Sequence, residues 1–233
     1  MLLPYFDYLD EGLLVFAVLF GSLLTALVTG IALHEASHAF TADRLGDGTA
    51  RMMGRVTLNP LRHLDPLGSI LLLIVGFGWG KPVPVNPMRL RHGPETGRAM
   101  VAAAGPLMNL AIAVLAALPF QLGLIDWDIS GSVSSWGAGQ YASLYLGALI
   151  VINVLLAVFN LLPIAPLDGF AVALGILPRD MARSFARLEK YGLLILMMVI
   201  MLPYLSNYQI PGLWSVIGPV VEGVTDLIVG QNA

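Results

Sequence analysis

His34, Glu35, Ala36, Ser37 and His38 form the pattern H-E-x-x-H. On a helix, residues four apart stack on one face, so the two imidazoles can bind a single zinc ion. Glu35 stands beside them, where it can take the proton of an attacking water. Residues of these types at this spacing point to metal-dependent hydrolysis. The chain contains no cysteine. A thiolate metal site, a disulfide framework and a cysteine nucleophile are therefore excluded, and any transition metal must rest on His, Asp or Glu.

Two histidines leave a catalytic zinc one protein ligand short. One candidate is Asp168, in the stretch Asn160-Leu161-Leu162-Pro163-Ile164-Ala165-Pro166-Leu167-Asp168-Gly169. There an apolar helix ends in prolines and an Asp follows beside a glycine. Asp-Gly is also a common turn dipeptide, and an Asp in that place can simply cap the next helix. The rival is Glu189, by analogy with zincins whose third ligand is a later Glu. Arg187 and Lys190 flank it, so a solvated salt bridge also accounts for it. His63 and His92 sit in basic loops and read as polar loop residues.

The elements that must position these groups are membrane helices. Of the 233 residues, 57% are hydrophobic and only 12% are charged, against about 25% charged in an ordinary soluble domain. The sum of 12 basic and 15 acidic residues is −3, which gives no case for nucleic acid as a partner. Four apolar segments fit membrane spans, at about 12–42, 98–120, 140–163 and 188–206. Residues 1–30 lack the basic start of a cleavable signal peptide. All twelve Lys and Arg fall within 44–98 and 179–190, so these stretches are expected to face the cytoplasm. The acidic N-terminus (Asp7, Asp10, Glu11) and the loop with Asp126 and Asp128 are expected on the other side.

Residues 66–80 are apolar but short, and they lead into Lys81-Pro82-Val83-Pro84-Val85-Asn86-Pro87. Prolines this dense exclude a helix and a central strand, but suit an edge strand. If 66–80 crossed the membrane, Asp168 would emerge on the side opposite the two histidines. We therefore read 66–87 as re-entrant, with its irregular backbone buried in protein or lining a wet cavity. Residues 213–229 carry a helical apolar stripe interrupted by Gly218-Pro219, read as an interfacial amphipathic helix or a weak extra span.

Three motifs occur in order: His34 to His38, then Ala104-Gly105-Pro106-Leu107-Met108-Asn109, then Asn160 to Gly169. On these the chain resembles the site-2 protease family of intramembrane zinc metalloproteases. With Asp65-Pro66-Leu67-Gly68 and Lys81 to Pro87, it looks most like the small prokaryotic branch. The resemblance implies zinc, one ion per chain, on His34, His38 and Asp168. It also implies Glu35 as general base and Asn160 as a catalytic group that orients substrate or stabilises the oxyanion. Phe170 departs from the pattern, since many members have a second glycine there, and neither a PDZ nor a CBS domain is seen.

The fold class expected is an all-α polytopic membrane protein, one membrane-embedded domain over 1–233. It has a three-helix catalytic core within about 12–170, one or two further spans in 188–233, and a re-entrant apolar segment with a short β element at 66–87. The expected activity is zinc endopeptidase cleavage of peptide bonds in or near transmembrane helices. The site faces the cytoplasmic side of the cell (inner) membrane. A helical substrate must unwind to expose a carbonyl, and the Val83–Asn86 edge can then hold it by strand addition, or else only plug the cavity. Val83, Val85, Asn86 and Asn109 are counted as substrate-binding residues. The family suggests as partner a membrane-anchored, single-span regulator, such as an anti-sigma factor already trimmed by another protease. Two other readings stand beside this one: a prenyl-protein-type membrane protease using Glu189, and a zinc transporter or channel. Polar residues inside the helices amount to little beyond Asn109, Asn153 and Asn160, which argues against transport.

Overall fold

A computed structural model describes residues 12–75, 78–128, 135–206, 209 and 212–230. The acidic residues Asp7, Asp10 and Glu11 lie outside the described residues. Among the described residues, three helices are long and apolar enough to cross a membrane: α1 (Leu13–Arg44), α4 (Pro94–Gln121) and α5 (Ala138–Asn160). Between them come α2 (Thr49–Met52) and α3 (Pro66–Val75), and after them α6 (Asp168–Ile176), α7 (Arg179–Ala186), α8 (Gly192–Leu205) and α9 (Leu213–Val229).

The ends of these helices follow from local chemistry. Pro94 opens α4, where a missing N–H costs nothing, and Glu95 sits in its first turn against the positive end of the helix dipole. The Gln140 side chain accepts the Gly137 N–H at 3.0 Å at the start of α5. Asp65 caps α3 by accepting the Gly68 N–H at 2.9 Å.

α1, α4 and α5 pack against one another, α6 lies against α4, and α9 packs along α5 and α4. Leu107, Leu115, Leu193 and Leu194 point outward, while Ser22, Asn109, Ser143 and Asn153 are buried. Polar groups face in and leucines face out, as an apolar solvent requires. Small residues let the helices approach. Ala113 and Ala117 of α4 meet Ile150 and Val154 of α5 in a core that Val221, Ile228 and Val229 of α9 complete. The Gln121 side chain donates to the Ile228 carbonyl, tying the end of α9 to the end of α4.

Two expectations need correction. The fourth span shrinks to α8, which has 14 residues and is about 21 Å long, shorter than the roughly 30 Å hydrocarbon core. Pro203 falls near its end. Residues 213–229 form the helix expected there, packed along α5 and α4.

The second correction concerns the β element. Among the described residues there is no strand, only an isolated antiparallel bridge between Leu64 and Gly80. Prolines at 82 and 84 have no N–H with which to extend a ladder. The bridge nonetheless settles the path of the chain. With the Lys81 N–H donating to the His63 carbonyl at 2.7 Å, the segment after Leu64 returns to its point of departure. α3 is 10 residues long, or about 15 Å, half of a membrane core. This is the geometry of a re-entrant segment.

Because Ala117 is fully buried against α5, Ala117→Leu should force α4 and α5 apart. We expect a loss of about 1–3 kcal/mol, read as earlier unfolding in a detergent denaturation series. Leu115→Ala, on the exposed face of the same helix, should leave the midpoint in place.

Candidate metal centre

α1 carries both histidines of the H-E-x-x-H pattern on one buried face, each 8% exposed. Their rings stand edge to face with centroids 4.6 Å apart. Asp168 begins α6, and the packing of α6 on α4 delivers its carboxylate to the same spot. Asp168 Oδ2 lies 3.1 Å from His34 Nε2 and 3.3 Å from His38 Nε2. The three ligand atoms lie within 4.8 Å of one another.

The hydrogen bonds fix which nitrogen carries the proton. Asn109 Nδ2 donates to the Gly30 carbonyl at 3.1 Å and to Asn153 Oδ1 at 3.0 Å. Both its hydrogens are then used, and its Oδ1 is left as an acceptor 2.7 Å from His34 Nδ1. His34 must therefore donate from Nδ1 and keep a lone pair on Nε2. Asn153 is itself set by donating to the Leu149 carbonyl at 2.9 Å. His38 Nδ1 faces the Val101 carbonyl at 2.7 Å, an acceptor only, so it too is protonated at Nδ1.

Two imidazole lone pairs and a carboxylate oxygen thus converge. Asp168 Oδ2 is buried and accepts no hydrogen bond among the described residues. Three electron-pair donors facing one another need a cation between them, and two His with one Asp suit zinc. The opposite wall is backbone. A Cβ on Gly105 would come within 2.6 Å of both Nε2 atoms, so the absence of a side chain keeps the space before the ligands open. The residues present fit a zinc ion.

Glu35 is half-buried beside this cluster, within electrostatic reach of His38, His34, Asp168 and Arg55. Its carboxylate makes no hydrogen bond among the described residues, which leaves it free for a water. A Cβ on Gly80 would fall 3.0 Å from Glu35 Oε1, so the returning end of the re-entrant segment lies against this carboxylate.

The remaining expected residues are placed as follows. Asn109, counted above with the substrate, is fully buried under His34 with its amide spent on the bonds just given. Asn160 ends α5, half-buried, and donates to the Leu156 carbonyl at 2.9 Å. Asn86 is exposed, and its side chain accepts the Met88 N–H at 3.1 Å. Val85 packs beside Ala42, Leu90 and Val101, and Val83 is half-buried. Glu189, the rival ligand, pairs at the surface with Arg98 of α4 at 2.8 Å, away from the cluster. His92 is exposed, whereas His63 is fully buried and donates from Nε2 to the Thr57 carbonyl at 2.8 Å.

The places that Asn153, Gly105 and the Val101 carbonyl take at the site were not read from the sequence. The signal available for Asn153 was a lone amide in the middle of an apolar span, and for Gly105 a glycine in the turn that passes the two histidines.

The profile of peptidase family M50 matches residues 22–203. YwhC of Bacillus subtilis, named as a candidate zinc metalloprotease, is 35% identical over 209 residues, covering 88% of this chain and 90% of that protein. Rip2 of Mycobacterium tuberculosis strain H37Rv, named likewise, is 31% identical over 198 residues, covering 84% and 72%. Rip2 of Mycolicibacterium smegmatis is 33% identical over 183 residues, covering 76% and 66%. No solved structure matches the chain.

The role given to Asn109 makes a measurable demand. Asn109→Leu removes the acceptor that holds His34 and should weaken zinc binding about 10- to 100-fold in a chelator competition. Gly105→Val, which fills the space before both Nε2 atoms, should abolish binding while helical circular dichroism stays unchanged.

Proposed function

The chain belongs to peptidase family M50 and is a membrane zinc metalloendopeptidase, and from that premise we propose that it cleaves membrane-anchored proteins in or near their transmembrane helices. The observation that carries this reading is the placement of the His34, His38 and Asp168 cluster, with Glu35 beside it, inside a bundle of three span-length helices.

In this reading His34, His38 and Asp168 hold the ion. A zinc ion held there would supply Lewis acidity toward the scissile carbonyl and toward a water, whose pKa would fall to about 7. Glu35 takes the proton from the attacking water and passes it to the departing amine. Asn160, at the end of α5, orients the substrate or steadies the negative oxygen.

A transmembrane helix keeps its carbonyls in i to i−4 bonds, so the bound stretch must first unwind. Val83 and Val85 support a holding role for the proline-rich segment. Their N–H and C=O groups make no hydrogen bond among the described residues, while the segment's start lies against Glu35. An extended peptide can take up those groups as an added strand. The confinement of Lys and Arg to 44–98 and 179–190 supports a site on the cytoplasmic side of the cell membrane. The substrate in this reading is the one the family suggests, a single-span regulator of the anti-sigma-factor kind already trimmed by another protease.

Two measurements test this. Glu35→Gln should retain one zinc per chain by metal analysis and lose nearly all hydrolysis of a detergent-solubilised single-span substrate; normal turnover with metal in place would remove Glu35 from the mechanism. A single cysteine at His92 should react with an impermeant maleimide only when the cytoplasmic face is open. Labelling of intact cells at that position would reverse the orientation.

A further inference from the structure

Arg55 lies in the loop after α2, yet it is only 5% exposed. A buried guanidinium is costly unless its N–H groups find acceptors, and Arg55 places both Nη groups while its Nε has no partner among the described residues. Its Nη1 donates to the Pro82 carbonyl at 3.2 Å and its Nη2 to the Lys81 carbonyl. These are the first two residues after Gly80, whose backbone lies against Glu35. The Arg55 charge is itself felt by Glu35.

Farther along the same segment stands a second anchor. Asp47 is fully buried, is held by the N–H and hydroxyl of Thr49, and accepts the Asn86 N–H at 2.6 Å. Residues 80–86 are therefore a strap fastened at both ends, by a buried cation at 81–82 and a buried anion at 86. Between the fastenings lie Val83 and Val85 with their free backbone groups.

The Lys81 and Pro82 carbonyls are already engaged by Arg55, and Pro82 and Pro84 have no N–H to donate to an added strand. The fastenings thus leave one short edge available to a peptide, at a fixed distance from Glu35. Both anchors come from residues 47–55, the stretch around α2, and their side chains bond to Thr49 and to the strap rather than to the metal ligands or to α4 and α5.

We propose that Arg55 is a positioning residue of the hydrolysis: its guanidinium pins the Lys81 and Pro82 carbonyls so that the strap stands against Glu35 and presents the Val83–Val85 backbone edge in register with the metal centre. This rests on the protease reading above and adds to it the group that sets the register. A planar fork is needed to hold two adjacent carbonyls at once. Lysine keeps the charge but offers a single ammonium, so it cannot replace the fork.

The test uses the full-length protein in bicelles, with nitroxides on single cysteines at exposed Lys81 and at Leu115 on the outer face of α4; the native chain has no cysteine to interfere. The activity probe is a leucine-rich single-span peptide with one Asn-Gly break near its cytoplasmic end. Arg55→Met and Arg55→Lys should both keep zinc, broaden the narrow distance distribution of the parent, and lower kcat/KM about 10- to 100-fold. Full activity in Arg55→Lys would show that only the charge beside Glu35 matters and would overturn the proposal. So would a broadened distribution with unchanged kcat/KM, which would make Arg55 merely structural. If Arg55→Met does not fold, Arg55→Lys decides alone. A zinc-loaded parent that cannot cut any single-span probe would instead sink the protease reading, and the distance measurement would still show whether Arg55 holds the strap.

Discussion

Three electron-pair donors aimed at one point, His34 and His38 from a helix near the start of the chain and Asp168 from another far along it, set the constraint on which the rest of this structure depends. His34 Nε2, His38 Nε2 and Asp168 Oδ2 would repel water-stripped neighbours of their own kind, and in an apolar surrounding each is costly to leave unpaired. Their convergence therefore has to be enforced by the fold. α1 supplies the two imidazoles on one face, α4 supplies the Val101 carbonyl, Gly105 and Asn109, α5 supplies Asn153, and α6 supplies the carboxylate. The polar interior of the bundle is concentrated in this arrangement. The amide pair of Asn109 and Asn153 carries the requirement from helix to helix, because each amide has its acceptor oriented by where its donors go.

The proposed reaction would also require the protein to admit water and an unwound peptide without exposing loose backbone to lipid. The segment that leaves at Leu64 and returns at Gly80 bears on both demands. α3 dips partway and the chain returns to bridge Leu64 through Gly80, so the irregular stretch that follows is held by protein groups rather than left in hydrocarbon. Burying Arg55 and Asp47 is expensive, and the hydrogen bonds they make with the strap offset that cost. Burial raises the Asp47 pKa, but the bonds from Thr49 and the Asn86 N–H outweigh it and hold the carboxyl below its ordinary value. This anchor thus stays charged through the neutral range and weakens only as the pH falls through that lowered pKa.

The long helices were legible because their signals are local. Hydropathy over about 20 residues and the confinement of Lys and Arg to two stretches were enough to place α1, α4 and α5 and to require that 66–87 turn back. The failures were also local in origin. Residues 188–206 have the composition of a span, but the helix starts only at Gly192 and ends by Leu205, and composition does not fix where a helix begins. Alternating Pro and Val at 82–85 describes an extended chain correctly. It does not say whether a partner strand exists, and the partners here are a guanidinium and a carboxylate.

The sequence by itself determined that this is a membrane-embedded metallohydrolase, because H-E-x-x-H in a cysteine-free, apolar chain admits few other chemistries. It also narrowed the third ligand to Asp168 or Glu189. Only the tertiary structure chose between these as neighbours of the histidines, since both lie in turns or polar stretches with similar local character. The packing of α6 on α4 puts Asp168 3.1 Å from His34, while Glu189 is drawn to Arg98. The same holds for Asn109, whose residue type suits a substrate contact as well as a support for His34. A side-chain amide's role is set by which donors and acceptors surround it, and those come from helices far apart in the chain.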